Sequence, residues 1–301
     1  MTFEPTRSSG APLVSVIMPT YHKDSLVLLR AAVESILIQT FADFEFLIVI
    51  DGVVPDETRK FLQETYARDA RVRLIALQEN RGSSHARNTA IREARGEFIA
   101  IMDADDVSQP QRFERQLAFL NDTGADACGS FYDVIDSHDR VVGKREVPTS
   151  EAAIRRALYW FNPIPNPTIM ARANLMKAHP YPERYPDGSV FWYGEDYALW
   201  VGIILEGHRV LNQPESLLRY RVNDWFWRRR TGTDAFYTDF SVKWSTMKLY
   251  PLYWRPWVAL ISFVTASTRL WPTWTLALIY RLRSRLRFSP DVRVHDRTGL
   301  K

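Results

Sequence analysis

The chain has 301 residues, 46% hydrophobic and 25% charged, with a formal net charge of +4. That length holds one large domain with an appendage or two modest domains, and the composition excludes a disordered or fibrous chain. A single cysteine, Cys128, excludes an internal disulfide and fits a reducing compartment, and the six histidines never fall at zinc-ligand spacing.

Residues 1–12 carry no apolar run, so they are expected to be a flexible N-terminus and not a secretory leader. Residues 13–19, LVSVIMP, form a short apolar, β-branched run closed by a proline and read as a buried strand. Residues 25–39 have apolar positions on a helical period after Ser25, a candidate N-cap. FEFLIVID (44–51) reads as a second strand, 56–69 as a polar helix and VRLIAL (72–77) as a third strand. A helix over 83–94 carries Ala86, Ala90, Ile91 and Ala94 on one face, and a fourth strand, EFIAIMD, follows it. Continuous apolar strands alternating with helices imply an α/β fold with a mostly parallel sheet covered on both sides. In such sheets ligands bind beyond the carboxyl ends of the strands.

The fourth strand runs directly into Asp103, Asp105 and Asp106. Acids there can cap the next turn, bind a divalent cation through hard oxygen ligands, or perform acid–base chemistry. Three acids within four residues repel one another unless a cation or basic groups lie between them, which favours the metal reading. Further on, the sequence predicts a helix over 110–122 with Pro110 in its first turn, a strand over 125–136, and a helix plus proline-rich segment over 145–174. A helix starting near Glu195 and a strand around 208–212 complete the pattern. Most of the ten tryptophans lie beyond position 224, which places a boundary between a domain over 13–224 and a basic, aromatic-rich helical extension over 225–301.

PTYHKDSLVLLRAAVESILIQTF (19–41), EFLIVIDG (45–52) and ENRGSSHARNTAIREARGEFIAIMDADD (79–106) resemble, in order and spacing, the family 2 glycosyltransferases of the GT-A fold. The resemblance is close over 13–125 and weaker to about 225. It implies an inverting enzyme, of the type that builds bacterial surface polysaccharides, which moves a hexose-type sugar from a nucleotide donor. By this resemblance Pro19, Thr20 and Tyr21 form the first donor loop, the tyrosine packing on the base, and Asp51 binds a uracil ring. Ile50-Asp51-Gly52-Val53 departs from the paired acids followed by Gly-Ser seen in many relatives, which leaves the base identity open. Gly82, Arg87 and Asn88 match the helix-entry motif, Arg87 placing a positive charge near the carboxylates or serving as a partner for Asp103. Asp103, Ala104 and Asp105 are the D-x-D motif: Asp103 is expected at the ribose or the metal shell, and Asp105 as ligand of a Mg²⁺ or Mn²⁺ ion on the donor diphosphate, with Asp106 capping or orienting.

WYGEDYALW (192–200) resembles the family's second signature, which makes Asp196 the expected base and Glu195 the neighbour that orients it or the acceptor. Both acids also suit the first turn of a helix without any catalytic role. Trp192, Tyr193 and Trp200 suit either a sugar platform or the core. Arg221, on the same strand face as Arg219, is the first candidate for the basic group that relatives direct at the diphosphate, while Arg228–Arg230 suit a solvated face equally.

The apolar stretches 256–268 and 270–280 are interrupted by Arg269 and Pro272, and neither reaches the ~20 residues a spanning helix needs. Aromatics beside a basic tail suit an interfacial helix pair on an anionic leaflet, or else a hairpin packed on the catalytic domain or a dimer interface. The partners expected are therefore a nucleotide-sugar donor, a glycan or polyprenyl-linked acceptor and, peripherally, a membrane, with no nucleic acid. The expected place is the cytoplasm, at the inner face of the membrane. Two rival classes are a sugar nucleotidyltransferase, which needs a Gly-rich phosphate loop where this chain has PTYHKD, and a non-catalytic membrane-associated binding protein.

Overall fold

The computed structural model describes residues 10–158, 160–184, 194–222, 231–245 and 255–271. β1 (Val14–Thr20) and β2 (Phe44–Asp51) are buried along almost their whole length, which is why apolar residues dominate both apart from the buried Ser15 and Glu45. Together with β3 (Val72–Leu77) and β4 (Phe98–Ile101) they form a parallel half-sheet in the order β3-β2-β1-β4. The chain leaves β1 toward β2 and β3, then returns to lay β4 on the other flank of β1. The crevice at that switch point opens at the carboxyl ends of β1 and β4.

Alternation along each strand divides the core between the two sheet faces. Val16, Met18, Phe46 and Ile48 meet α1 (Leu26–Leu37), whose Leu29, Ala32, Val33 and Ile36 form one helical stripe. Ile17, Leu47, Val49 and Ile101 meet the other layer, including Ala86, Ala90 and Ile91 of α3 (Ser83–Glu93) and Trp200, Ile203 and Ile204. Each such buried aliphatic side chain contributes about 1.5–3 kcal/mol. α2 (Asp56–Arg68) covers the β2–β3 flank with Phe61 and Leu62. Cys128 lies wholly inside, burial pushing its thiol up to about 12, so it is a small core residue.

The parallel arrangement stops at β4, and beyond it the sheet is mixed. β8 (Met170–Arg172) runs antiparallel to β4 and to β6 (Ala127–Ile135). β9 (Val210–Arg221) is parallel to β6, and the two-residue β5 (Val107–Ser108) is antiparallel to β9. Only 102–106 separate β4 from β5, far too few residues for a parallel crossover. β7 (Val141–Arg145) closes a hairpin on β6.

Two boundaries differ from the sequence reading. Pro110 precedes the N-cap, Gln111, of α4 (Arg112–Thr123) instead of sitting in its first turn. The strand expected around 208–212 continues to Arg221, because Pro214 lies in a bulge where the register passes from Gln213 opposite Ser130 to Ser216 opposite Phe131. A bulge is one of the few places a proline fits inside a sheet.

α5 (Glu151–Ala157), α6 (Ala173–Ala178) and α7 (Glu195–Leu205) complete the central layer. α8 (Thr233–Ser245) and α9 (Arg255–Ser267) pack together, and Val242 joins the same core cluster as α7. Lys243 Nζ lies 2.6 Å from Asp239 and donates to Thr265 Oγ1, tying the pair internally. Trp257, Leu260, Phe263 and Val264 of α9 are each more than half exposed. Among the described residues no helix is long and apolar enough to cross a membrane. Arg228–Arg230, Trp192, Tyr193 and the tail from 272 onward lie outside the described residues.

Candidate active site

Four loops converge at the carboxyl edge of the parallel half-sheet. The first follows β1. Thr20 is buried, and its Oγ1 and the Tyr21 amide both donate to Asp24 Oδ2 at 2.9 Å. Pro19 stands at the end of β1, beyond the stretch that pairs with β4, where a missing N–H costs no ladder bond. Tyr21 is half-buried, its ring edge-on to His22.

The second loop follows β2. Asp51 ends that strand almost fully buried, and its two carboxylate oxygens accept the amides of Arg81 and Gly82, each at 2.9 Å. Burial raises the Asp51 carboxyl above its ordinary value, against those amide bonds. Gly52 has φ +82°, and a Cβ there would lie 2.7 Å from the Asn80 amide nitrogen, so only glycine lets the two loops close. A cleft of about 200 Å³ beside them is lined by Glu79, Asn80, Arg81, Glu183 and Arg184.

The helix-entry motif then divides into different tasks. Gly82 adopts φ +90° as the N-cap of α3. Arg87, inside that helix and 7% exposed at its side chain, donates to Asp103 Oδ1 at 2.8 Å through Nη2 and to Glu195 Oε1 at 3.0 Å through Nη1. Burial alone would push this guanidinium down, but Asp103 and Glu195 hold it above its ordinary value. Ser83 Oγ adds a second bond to Glu195. Asn88, by contrast, is buried with its Oδ1 accepting the Tyr181 amide and its Nδ2 donating to the Tyr181 carbonyl and to Glu183. Both ends of the Asn88 amide, expected at the donor, are thus engaged by the chain itself in a clamp on the 181–183 segment.

The third loop is the D-x-D turn. Ala104 packs into the core, so the flanking Asp103 and Asp105, both half-buried, stand on the rim. Asp106 is 1% exposed; burial first, then the charges of Asp105 and Asp103, push its carboxyl well above the ordinary range. β9 braces the turn from below. The Arg221 amide donates to Asp106 Oδ1 and its Nε to the Asp105 carbonyl, both at 2.8 Å, while the remaining guanidinium nitrogens reach the Asp136 carbonyl and the Asp139 carboxylate. With its side chain 1% exposed, Arg221 is a strut under the carboxylates, a different place from the diphosphate contact expected of it.

The fourth loop is the start of α7. Gly194 caps the helix with φ +76°, against Thr238 of α8. Asp196 Oδ2 accepts from Asn162 Nδ2 at 2.9 Å, and its Oδ1 from the Tyr197 amide. Trp200, one turn on, is wholly buried and belongs to the core. Asn162 went unread in the sequence; its only signal is the Asn-Pro repeat in NPIPNP, 162–167.

Asp24 also escaped the sequence reading. Burial, with added repulsion from Asp105 and Asp103, raises its carboxyl from 3.8 to about 6. A raised acid binds its proton more readily folded than unfolded, so the fold gains stability as pH falls through about 6 and holds the whole gain below 3.8. Asp24→Asn should therefore raise the thermal midpoint above wild type in alkaline buffer, and this advantage should vanish in acid, where wild-type Asp24 is already neutral. Thermal denaturation of both proteins across that range checks it.

Comparison with known proteins agrees with this architecture. S. aureus TarS 1–349 in complex with UDP-GlcNAc superposes with a TM-score of 0.65 at 18% identity, over 91% of this chain and 77% of that one, so the fold is GT-A. The glycosyl transferase family 2 model matches residues 15–179, and the chain belongs to that family of transferases. An uncharacterized glycosyltransferase of Methanocaldococcus jannaschii is 31% identical over 214 residues, 70% of this chain and 71% of that protein. The Escherichia coli UDP-Glc:alpha-D-GlcNAc-diphosphoundecaprenol beta-1,3-glucosyltransferase WfgD is 30% identical over 65% of this chain and 71% of its own length.

Proposed function

We propose that this glycosyltransferase moves a hexose-type sugar from a UDP-linked donor to a hydroxyl of a lipid-linked glycan, with inversion, in the synthesis of a surface polysaccharide. The observation that carries this reading is the Arg87 bridge, which joins Asp103 of the D-x-D turn to Glu195 beside Asp196. One buried guanidinium thereby fixes the donor-side carboxylates against the acceptor-side helix. The relationship to WfgD supports a UDP donor and a diphosphate-linked acceptor.

The residues fit a divalent cation. Asp105 and Asp103 offer hard oxygen ligands, and their charges push both Asp106 and Asp24 upward, a repulsion that Mg²⁺ or Mn²⁺ would relieve. When bound, such an ion supplies positive charge to the departing diphosphate. The protein's own groups do the rest. Tyr21 and Asp51 flank the base. Asp196, positioned by Asn162 and the Tyr197 amide, takes the acceptor hydroxyl proton. The acceptor oxygen bonds to the anomeric carbon as the bond to phosphate breaks, its electron pair leaving with the nucleoside diphosphate. Asn88 and Arg221 act as positioning residues, without donor contact.

Release of UDP or GDP from a panel of nucleotide sugars, with Mn²⁺ and a polyprenyl diphosphate glycan, tests the reading. The expected result is acceptor-dependent UDP release with inverted product stereochemistry; release of GDP alone, or a retained configuration, overturns it.

The exposed Trp257, Leu260, Phe263 and Val264 on α9 support peripheral contact with the membrane that holds such an acceptor. Replacing Trp257 and Phe263 by serine should reduce flotation with anionic liposomes by more than half. Undiminished flotation removes α9 from the membrane contact.

A further inference from the structure

At the far end of α7, about 16 Å from its first residue at 1.5 Å per residue, the fold gathers side chains that the sequence scatters. Among the described residues, one trio of His, Cys, Asp or Glu brings a ligand atom from each within 4.8 Å of the others, namely His179, Glu206 and His208. His179 follows α6, while Glu206 and His208 occupy the turn from α7 into β9.

Both imidazoles are already oriented. His179 Nδ1 lies 2.9 Å from the Leu175 carbonyl, which can only accept, so Nδ1 carries a proton and Nε2 is the nitrogen directed outward. That Nε2 lies 2.9 Å from Glu206 Oε2, where a shared proton holds the two together. A divalent ion can take the place of that proton. His208 lies edge-on to His179 with ring centroids 5.1 Å apart, and its Nδ1 is 3.6 Å from Asp126 Oδ2. Asp126 is itself fixed, accepting the Arg209 amide at 2.9 Å. A backbone carbonyl behind one imidazole and a carboxylate behind the other is the outer support that metal-binding histidines use.

We propose that His179, Glu206 and His208 form a zinc-class transition-metal site, separate from the aspartates of the active site. Two imidazoles and one carboxylate are a borderline set that suits Zn²⁺ and not Mg²⁺, with a fourth position open to water. The side chains are 17%, 61% and 36% exposed, so an ion reaches them from solvent. The bound ion would join the end of α6 to the turn between α7, which carries Asp196, and β9, whose Arg221 braces the D-x-D turn.

The test uses full-length protein without a histidine tag, stripped by a chelator and titrated with Co²⁺. The expected result is the visible absorption of tetrahedral cobalt, abolished by Zn²⁺, kept in Asp105→Asn and lost in the His179→Asn/His208→Asn double variant. Zn²⁺, but not Mg²⁺, should also raise the thermal midpoint of wild type and Glu206→Gln should lessen that rise. No cobalt band in wild type overturns the proposal, as does a band that survives the double histidine variant or disappears with Asp105→Asn.

Discussion

Asp196→Asn should lower kcat by about 10²–10⁴-fold, the range a positioned general base supplies, and leave nucleoside diphosphate binding unchanged. Asparagine keeps the shape of the side chain and an oxygen for the Tyr197 amide or for Asn162, but it cannot take a proton. Tyr21, Asp51 and Asp103, which are proposed to face the donor, belong to other loops and stay in place. Glu195→Gln should behave differently. Glu195 receives Arg87 and Ser83, so its change loosens the join between the two halves of the site and should weaken donor binding along with turnover. Calorimetry with UDP and Mn²⁺, beside initial rates for both variants, separates the roles. Measurable turnover by Asp196→Asn near the wild-type rate would remove Asp196 as the base.

The parallel half of the sheet was legible in the sequence because β1, β2 and β4 are covered on both faces, leaving largely apolar runs, with β2 ending in Asp51 and β4 leading into Asp103. The start of α7 was legible for a related reason, since Gly194, Glu195 and Asp196 mark a helix entry before an apolar stretch. Side-chain roles were less legible. An asparagine that clamps backbone looks the same in sequence as one that binds a ligand, and Asn88 proved to hold Tyr181. An arginine two residues after Arg219, on the same face of a strand, looks available in sequence, yet Arg221 is enclosed by the turns it supports. Arg112 of α4, to which the sequence reading gave no role, is wholly buried and donates to the Ile101 and Ile169 carbonyls. Asn162 and the His179–Glu206–His208 group depend on contacts between segments far apart in the chain, which no local spacing encodes.

Asp105→Asn should move activity and stability in opposite directions. Its charge raises Asp106, which lies buried one residue on, and Asp24 in the loop after β1. Removing that charge relieves both, so without a divalent ion the variant should unfold at a higher temperature than wild type near neutral pH. The same change removes a ligand oxygen and the charge that offsets a doubly charged ion, so Mn²⁺-dependent binding of UDP should weaken and kcat fall by about 10²–10³-fold, the effect of losing one electrostatic stabiliser of a developing anion. Asp103→Asn is the informative contrast. Asp103 carries the Arg87 guanidinium, and its neutralisation leaves a buried cation with Glu195 as the remaining charged partner among the described contacts. Breaking a buried pair from one side costs about 3–5 kcal/mol, discounted here because Asp103 is partly exposed, so this variant should lose stability as well as activity. Thermal denaturation in chelator and Mn²⁺ titration of UDP binding, run on both variants, read the two effects separately. A stabilised Asp105→Asn beside a destabilised Asp103→Asn would mark Asp105 as the carboxylate the fold holds at a cost for the donor's ion, and Asp103 as the one through which Arg87 ties that ion's site to the base.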